Sequence, residues 1–246
     1  MEWKLLIIKP FFLLIYKIQK KNKTMKYIKL FENFSESDLD KSINSLEEFK
    51  KYYRSLVSKT SNLTLEMDWI DDIDGEIHKP INSNENILNI LYEIYVPGYK
   101  ILDVGCGFGS ILKVCKKMGY KVYGSELVKN FTYYKSNGDQ VNKEIAEYHK
   151  GLNVVYGNFL DMSNISEFDV IYLYRPTDDM QIMDRIIDKI LKECKPGCKI
   201  LYVYPHISTT ELNNKYFINV IKSMSSGESY QKSGDGTGSF ILIEKK

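Results

Sequence analysis

From Gly98 onward the chain alternates short apolar runs with helical spacing, and this alternation limits the fold more than any other feature. KILDV (100–104), YKVYGSEL (120–127), LNVVYG (152–157), FDVIYLY (168–174), CKILYVYP (198–205) and FILIEKK (240–246) read as strands. GSILKVCKKMG (109–119) reads as a short helix closed by Gly119, and Thr177 is expected to cap a helix carrying Met183, Ile186, Ile187, Ile190, Leu191 and Cys194 on one side. The polar, Tyr-rich stretch 128–149 reads as helical, and 208–224 as helical or mixed. Apolar strands separated by amphipathic helices make a mainly parallel sheet covered on both faces, and right-handed crossovers wind it doubly.

Upstream, Leu39, Ile43, Leu46, Phe49, Tyr53, Leu56 and Val57 recur at three- and four-residue steps, predicting a helix to about residue 58 with Ser35 or Ser37 as its cap. A second helix is expected in NENILNILYEIYVPG (84–98), ended by Pro97-Gly98. The apolar segment LLIIKPFFLLIYKI (5–18) is split by Lys9 and Pro10, short of the about 20 apolar residues that a membrane span needs. The lysines after it lack the small residues of a cleavage site, and the segment is expected to be an irregular or loosely packed extension, with peripheral contact of its basic flank with an anionic membrane surface as the alternative. Met25 is an alternative start. The expected organisation is an apolar and basic extension over 1–34, N-terminal helices with a candidate lid over 35–97, and a ligand-binding domain over 98–246. Within the second part, Trp69, the acidic cluster and His78 of EMDWIDDIDGEIHKP (66–80) are candidates to fold over a ligand.

A net charge of +2, with 34 Lys and Arg against 32 Asp and Glu, gives nucleic acid no electrostatic footprint. Four dispersed cysteines and three histidines suit reduced thiols in a cytoplasmic setting better than a metal centre, so no metal is expected.

Directly behind the first strand comes DVGCGFGS (103–110). In an open α/β sheet the loop after this strand borders the ligand crevice, and glycines at 105, 107 and 109 let backbone amides approach a bound molecule closely. Dinucleotides and S-adenosylmethionine both suit such a loop, but a dinucleotide fingerprint wants a third glycine where Ser110 stands. Glu126, ending the next strand, is placed to accept hydrogen bonds from a ribose diol in either ligand.

ILDVGCGFGS resembles the first motif of class I S-adenosylmethionine-dependent methyltransferases, and VYGSEL and VVYGNFLDM resemble the motifs that follow it. The resemblance spans residues 98 to about 205. With the alternation it sets the expected fold: an α/β, doubly wound, mainly parallel seven-stranded sheet with helices on both faces and an antiparallel C-terminal edge, preceded by N-terminal helices. It implies S-adenosylmethionine as cofactor, with Asp103, Gly105, Cys106, Gly107, Gly109, Glu126, Leu127, Asn158, Phe159 and Asp161 as its binding residues. Glu126 is the implied ribose acid and Leu127 an implied adenine contact. The adenine amine is left to Asn158, where the family commonly has Asp, or to Asp161.

The implied reaction is methyl transfer to an unidentified acceptor, in the first instance a small molecule, with a protein acceptor or a non-catalytic S-adenosylmethionine- or nucleotide-binding module as alternatives. Tyr174-Arg175-Pro176 stands where amine methylators of bases carry Asn or Asp, Pro-Pro and an aromatic, which disfavours that chemistry. Tyr174 and Arg175 are the acceptor-side candidates, Arg175 being expected in an extended backbone ahead of Pro176 and suited to an anionic group.

Overall fold

The computed structural model describes residues 42–66, 69–71, 85–134, 138–224 and 239–246. The apolar N-terminal stretch with Met25, the caps Ser35 and Ser37, and His78 lie outside these residues.

Seven strands form the main sheet: β2 (Lys100–Val104), β3 (Lys121–Glu126), β6 (Asn153–Tyr156), β7 (Val170–Tyr174), β8 (Lys199–Val203), β9 (Ile218–Met224) and β10 (Phe240–Lys245). Their order is β6-β3-β2-β7-β8-β10-β9. β6, β3, β2, β7 and β8 pair in parallel, while β10 runs antiparallel to both β8 and β9. This is the expected doubly wound sheet with its antiparallel C-terminal edge. From β2 the chain steps outward to β3 and β6, then returns to β7 on the other side of β2, so the carboxyl end of β2 is the switch point where a crevice opens.

Because β2 is covered on both faces, alternate residues serve two cores. Ile101 packs on the face that carries α1 (Leu46–Glu66), α2 (Glu85–Glu93) and α3 (Ser110–Met118), with Phe49, Leu91 and Leu112 buried there. Leu102 and Val104 pack on the opposite face, beneath α4 (Met180–Glu193) and α5 (Thr209–Lys215), with Met183, Ile187 and Leu212. Each such fully buried side chain stabilises the fold by about 1.5–3 kcal/mol. The N-terminal helices thus share one core with the sheet, and the Ile43 amide donates to the Lys117 carbonyl at the end of α3 (3.2 Å).

Three local expectations are corrected. Among the described residues the first helix begins at Leu46 and continues to Glu66, beyond the expected end near residue 58, with Ser45 Oγ accepting from the Glu48 amide (3.2 Å). On α4 the cap is Asp179, which accepts from the amides of Gln181 and Ile182; the Thr177 hydroxyl instead accepts from the Asp179 amide one turn earlier. The stretch 128–149 is not a helix. It forms strands β4 (Asn130–Tyr134) and β5 (Gln140–Glu144), followed by a 3-10 turn at Ile145–His149. β4 also pairs with β1 (Trp69–Asp71), in register Trp69 to Tyr134, making a three-stranded antiparallel sheet β1-β4-β5. The mixed stretch near 208–224 resolves into α5 and the edge strand β9.

Candidate cofactor site

At the end of β2 the chain turns through Gly105, Gly107 and Gly109, all with left-handed φ (72°, 52° and 68°). The amides of Gly105 and Cys106 both donate to the Ser125 carbonyl of β3, which ties the loop to its neighbouring strand. A Cβ on Gly105 would stand 2.6 Å from the Pro176 Cβ, so here glycine is required by close approach as well as by dihedral. Gly109 occupies the N-cap of α3 with no side chain to cap it, leaving first-turn N–H groups directed at the loop.

Glu126 ends β3 facing this loop. Its Oε2 accepts from the Gly107 amide (2.8 Å) and its Oε1 from the Leu127 amide (2.9 Å). Burial pushes the Glu126 carboxyl above the ordinary range, and the backbone N–H groups of Gly107, Leu127 and Val128 oppose that shift. Asp103, fully enclosed in β2, is pushed well above the carboxylate range by burial first and then by the Glu126 charge. Burial likewise raises the Cys106 thiol, ahead of the charges of Asp103 and Glu126.

The next strand end adds Asn158, whose Oδ1 accepts from the Leu160 amide (2.9 Å) and caps a 3-10 turn at Phe159–Asp161. The Gly157 amide donates to the Glu126 carbonyl, holding this turn beside β3. Leu127 is 55% exposed. Phe159 is buried in the core beneath α4, and Asp161 is exposed. The fold therefore brings Gly107, Glu126, Leu127 and Asn158 to one strand-end crevice, while Phe159 belongs to the packing below it.

On the β7 side, Tyr174 lies between Tyr172 and Tyr204, with ring centroids 6.3 and 5.4 Å away. Arg175 departs from the expected extended backbone. Its φ is +39°, and its Nε pairs with Asp178 Oδ1 at 2.8 Å. A following proline disfavours a right-handed helical backbone at Arg175, and the residue lies in the left-handed region rather than the extended one. Tyr204, just after β8, also has a left-handed φ of +52°. Two strained non-glycine residues thus sit side by side at the ends of adjacent parallel strands, a pattern associated with functional sites.

One residue absent from the motifs completes the crevice. His149, from the 3-10 turn after the small sheet, lies with Nε2 2.6 Å from the Gly107 carbonyl oxygen and Nδ1 2.8 Å from the Tyr156 hydroxyl. A histidine at the end of a polar stretch carries no sequence signal of its own, and only the sheet insertion brings it to the loop.

A family profile described as a methyltransferase domain matches residues 54–228, well over half of the chain. The chain belongs to this methyltransferase family. That membership bears out the resemblance to class I S-adenosylmethionine-dependent methyltransferases carried by the glycine loop and Glu126. Curated relatives include a sterol 24-C-methyltransferase of Yarrowia lipolytica, 27% identical over 47% of this chain and 29% of that protein. Another is a mitochondrial ubiquinone biosynthesis O-methyltransferase of Dictyostelium discoideum, 26% identical over 59% of this chain and 44% of that one. The chain spans less than half the length of the curated relatives it matches. Among solved structures, a TehB-like S-adenosylmethionine-dependent methyltransferase from Corynebacterium glutamicum is 15% identical, covers 80% of this chain and 99% of its own, and has a TM-score of 0.47.

The crevice fits S-adenosylmethionine. The two Glu126 oxygens take the backbone N–H groups of Gly107, Leu127 and Val128 and keep acceptor capacity for a ribose hydroxyl. Ser125 Oγ, one residue before Glu126, is a buried hydroxyl with no hydrogen-bond partner among the described residues. The open first turn of α3 suits a carboxylate.

Proposed function

We propose that this protein transfers a methyl group from S-adenosylmethionine to an apolar, ring-bearing small molecule. The observation that carries this reading is the Gly107–Glu126 hydrogen bond at the switch point of the sheet, which sets an acid with remaining acceptor capacity against a glycine loop. When bound, the cofactor supplies a sulfonium methyl that is reactive without further activation. The protein's own residues then bind and orient: Glu126 holds the ribose, Leu127 offers apolar surface to the adenine, and Asn158 and the glycine loop border the rest.

The acceptor class is supported by the half-buried rings of Tyr174 and Tyr204 where β7 and β8 end, with Tyr172 buried in the core beneath them. Relatives named for a sterol and for ubiquinone biosynthesis support the same class. Because Asp178 engages Arg175 through Nε, the acceptor reading rests on the tyrosines rather than on an anion held by the guanidinium. Four free, buried cysteines support a reducing, cytoplasmic setting.

Calorimetry with S-adenosylhomocysteine and with NADH tests the cofactor. Tight binding of the first and none of the second is expected, and the reverse overturns the assignment. Methyl-labelled cofactor incubated with an organic-solvent extract and with a protein extract then tests the acceptor. Label is expected in the apolar small-molecule fraction; label confined to protein, or none transferred, overturns that class.

A further inference from the structure

Gly107 is gripped at both of its backbone groups. Its N–H donates to Glu126 Oε2 (2.8 Å), and its carbonyl oxygen lies 2.6 Å from His149 Nε2. A carbonyl only accepts, so Nε2 carries the ring proton; Nδ1 then accepts from the Tyr156 hydroxyl at 2.8 Å. Burial holds the imidazole below its ordinary pKa, in keeping with this neutral tautomer. Cys106 Sγ makes a weaker contact with Nε2 at 3.8 Å. Tyr156 and Glu126 are register partners on β6 and β3, so the four residues close a ring: Glu126, Gly107, His149, Tyr156, and back across the strand pair.

We propose that His149 is a positioning residue for the cofactor site, acting through Gly107 on the carboxylate of Glu126. The inference rests on the proposed role of Glu126 in holding the ribose. Glycine at a φ of +52° has wide conformational freedom, and the imidazole holds the carbonyl of the peptide that follows it, which restrains the Gly107 dihedrals that aim the N–H of the preceding peptide at Glu126. Loss of the imidazole N–H frees the Gly107 carbonyl and with it the dihedrals of Gly107, and Glu126 then loses one of the donors that aim its carboxylate. Tyr156 sets the tautomer on which the grip depends.

The test uses S-adenosylhomocysteine binding together with amide exchange at Gly107 in the unliganded protein. His149→Leu removes both ring bonds, whereas His149→Gln keeps an amide donor for Gly107 and an acceptor for Tyr156. Leaving a buried polar group unsatisfied predicts that His149→Leu weakens binding about 10-fold or more, with His149→Gln within about 3-fold of wild type. Gly107 exchange should quicken about 10-fold in the leucine variant and stay unchanged in the glutamine variant. In a Glu126→Ala background, His149→Leu should weaken binding by less than about 2-fold more, because its effect passes through the missing carboxylate.

Equal losses in the two backgrounds overturn the proposal, as does unchanged Gly107 exchange in His149→Leu. Should His149→Leu fail to fold, Tyr156→Phe takes its place: it should weaken binding a few-fold while His149→Gln does not, and the opposite order overturns the proposal. A folded wild-type protein that does not bind S-adenosylhomocysteine overturns the cofactor reading instead, and Gly107 exchange in the unliganded variants still decides whether His149 holds the loop.

Discussion

Pro176 seats its ring against Gly105, with the Pro176 Cβ 2.6 Å from where a Cβ on Gly105 would be. This one contact joins the loop after β7 to the loop after β2, and therefore couples the acceptor side of the crevice to the cofactor side. Gly105→Ala should suffer both a left-handed dihedral and an overlap. Gly98, at φ +82° with nothing within 4 Å of its would-be Cβ, supplies the control. Gly98→Ala should lower the unfolding free energy by about 1–2 kcal/mol from the dihedral alone. Gly105→Ala should lose about 1–3 kcal/mol more from overpacking. Urea denaturation of the two variants checks the difference, and equal losses would show that Pro176 yields freely.

Glu126→Ala should weaken S-adenosylhomocysteine binding by about 1–3 kcal/mol, the size of a lost hydrogen bond to a charged group. Calorimetry at neutral pH reads this directly. A variant that binds like wild type would remove Glu126 from the ribose site.

Asp103 and Glu126 both have carboxyls raised by burial, which predicts opposite pH responses of stability and binding. The folded protein retains these protons at pH values where the unfolded chain has lost them. Folding therefore gains stability as pH falls from above the raised folded values towards the ordinary carboxylate range near about 4. Below that range the gain reverses, because Asp169, Asp188 and Glu211 are held low by their partners and must be protonated. Ligand affinity should fall over the same acidic window, since ribose binding needs ionised Glu126. Denaturation and calorimetric titrations from pH 7 to pH 4 should diverge in sign; parallel declines would contradict the raised values.

Arg175→Gly should leave stability within about 1 kcal/mol of wild type, because relief of the left-handed strain offsets an ion pair worth about 0–1 kcal/mol. Arg175→Lys keeps the strain while disturbing the Nε contact, so it should be the less stable of the two. Thermal melts of both variants measure this order.

Asn158→Ala should cost about 0.5–2 kcal/mol by uncapping the turn at Phe159–Asp161, whereas Asn158→Asp retains an acceptor for the Leu160 amide and should keep the stability of wild type. A matching loss in both variants, read by urea denaturation, would show that the side-chain amide has another duty.

The sequence by itself determined the sheet and the half of the site that lies within one turn of its own strand. KILDV, the three glycines and Glu126 are local: strand period, glycine dihedrals and the end of the next strand place them wherever the rest of the chain goes. Even the small sheet left a trace, since aromatic and β-branched residues Phe131, Thr132, Tyr133 and Tyr134 precede Asn137-Gly138, a hairpin signal that outweighs the helical spacing of 128–149. Tertiary structure alone decided the rest. The approach of Pro176 to Gly105 joins loops 71 residues apart, and the grip of His149 on Gly107 spans 42 residues. Such pairings depend on loop closures between segments whose separate patterns are unremarkable in themselves, so their free energy exists only once the sheet has brought both ends together.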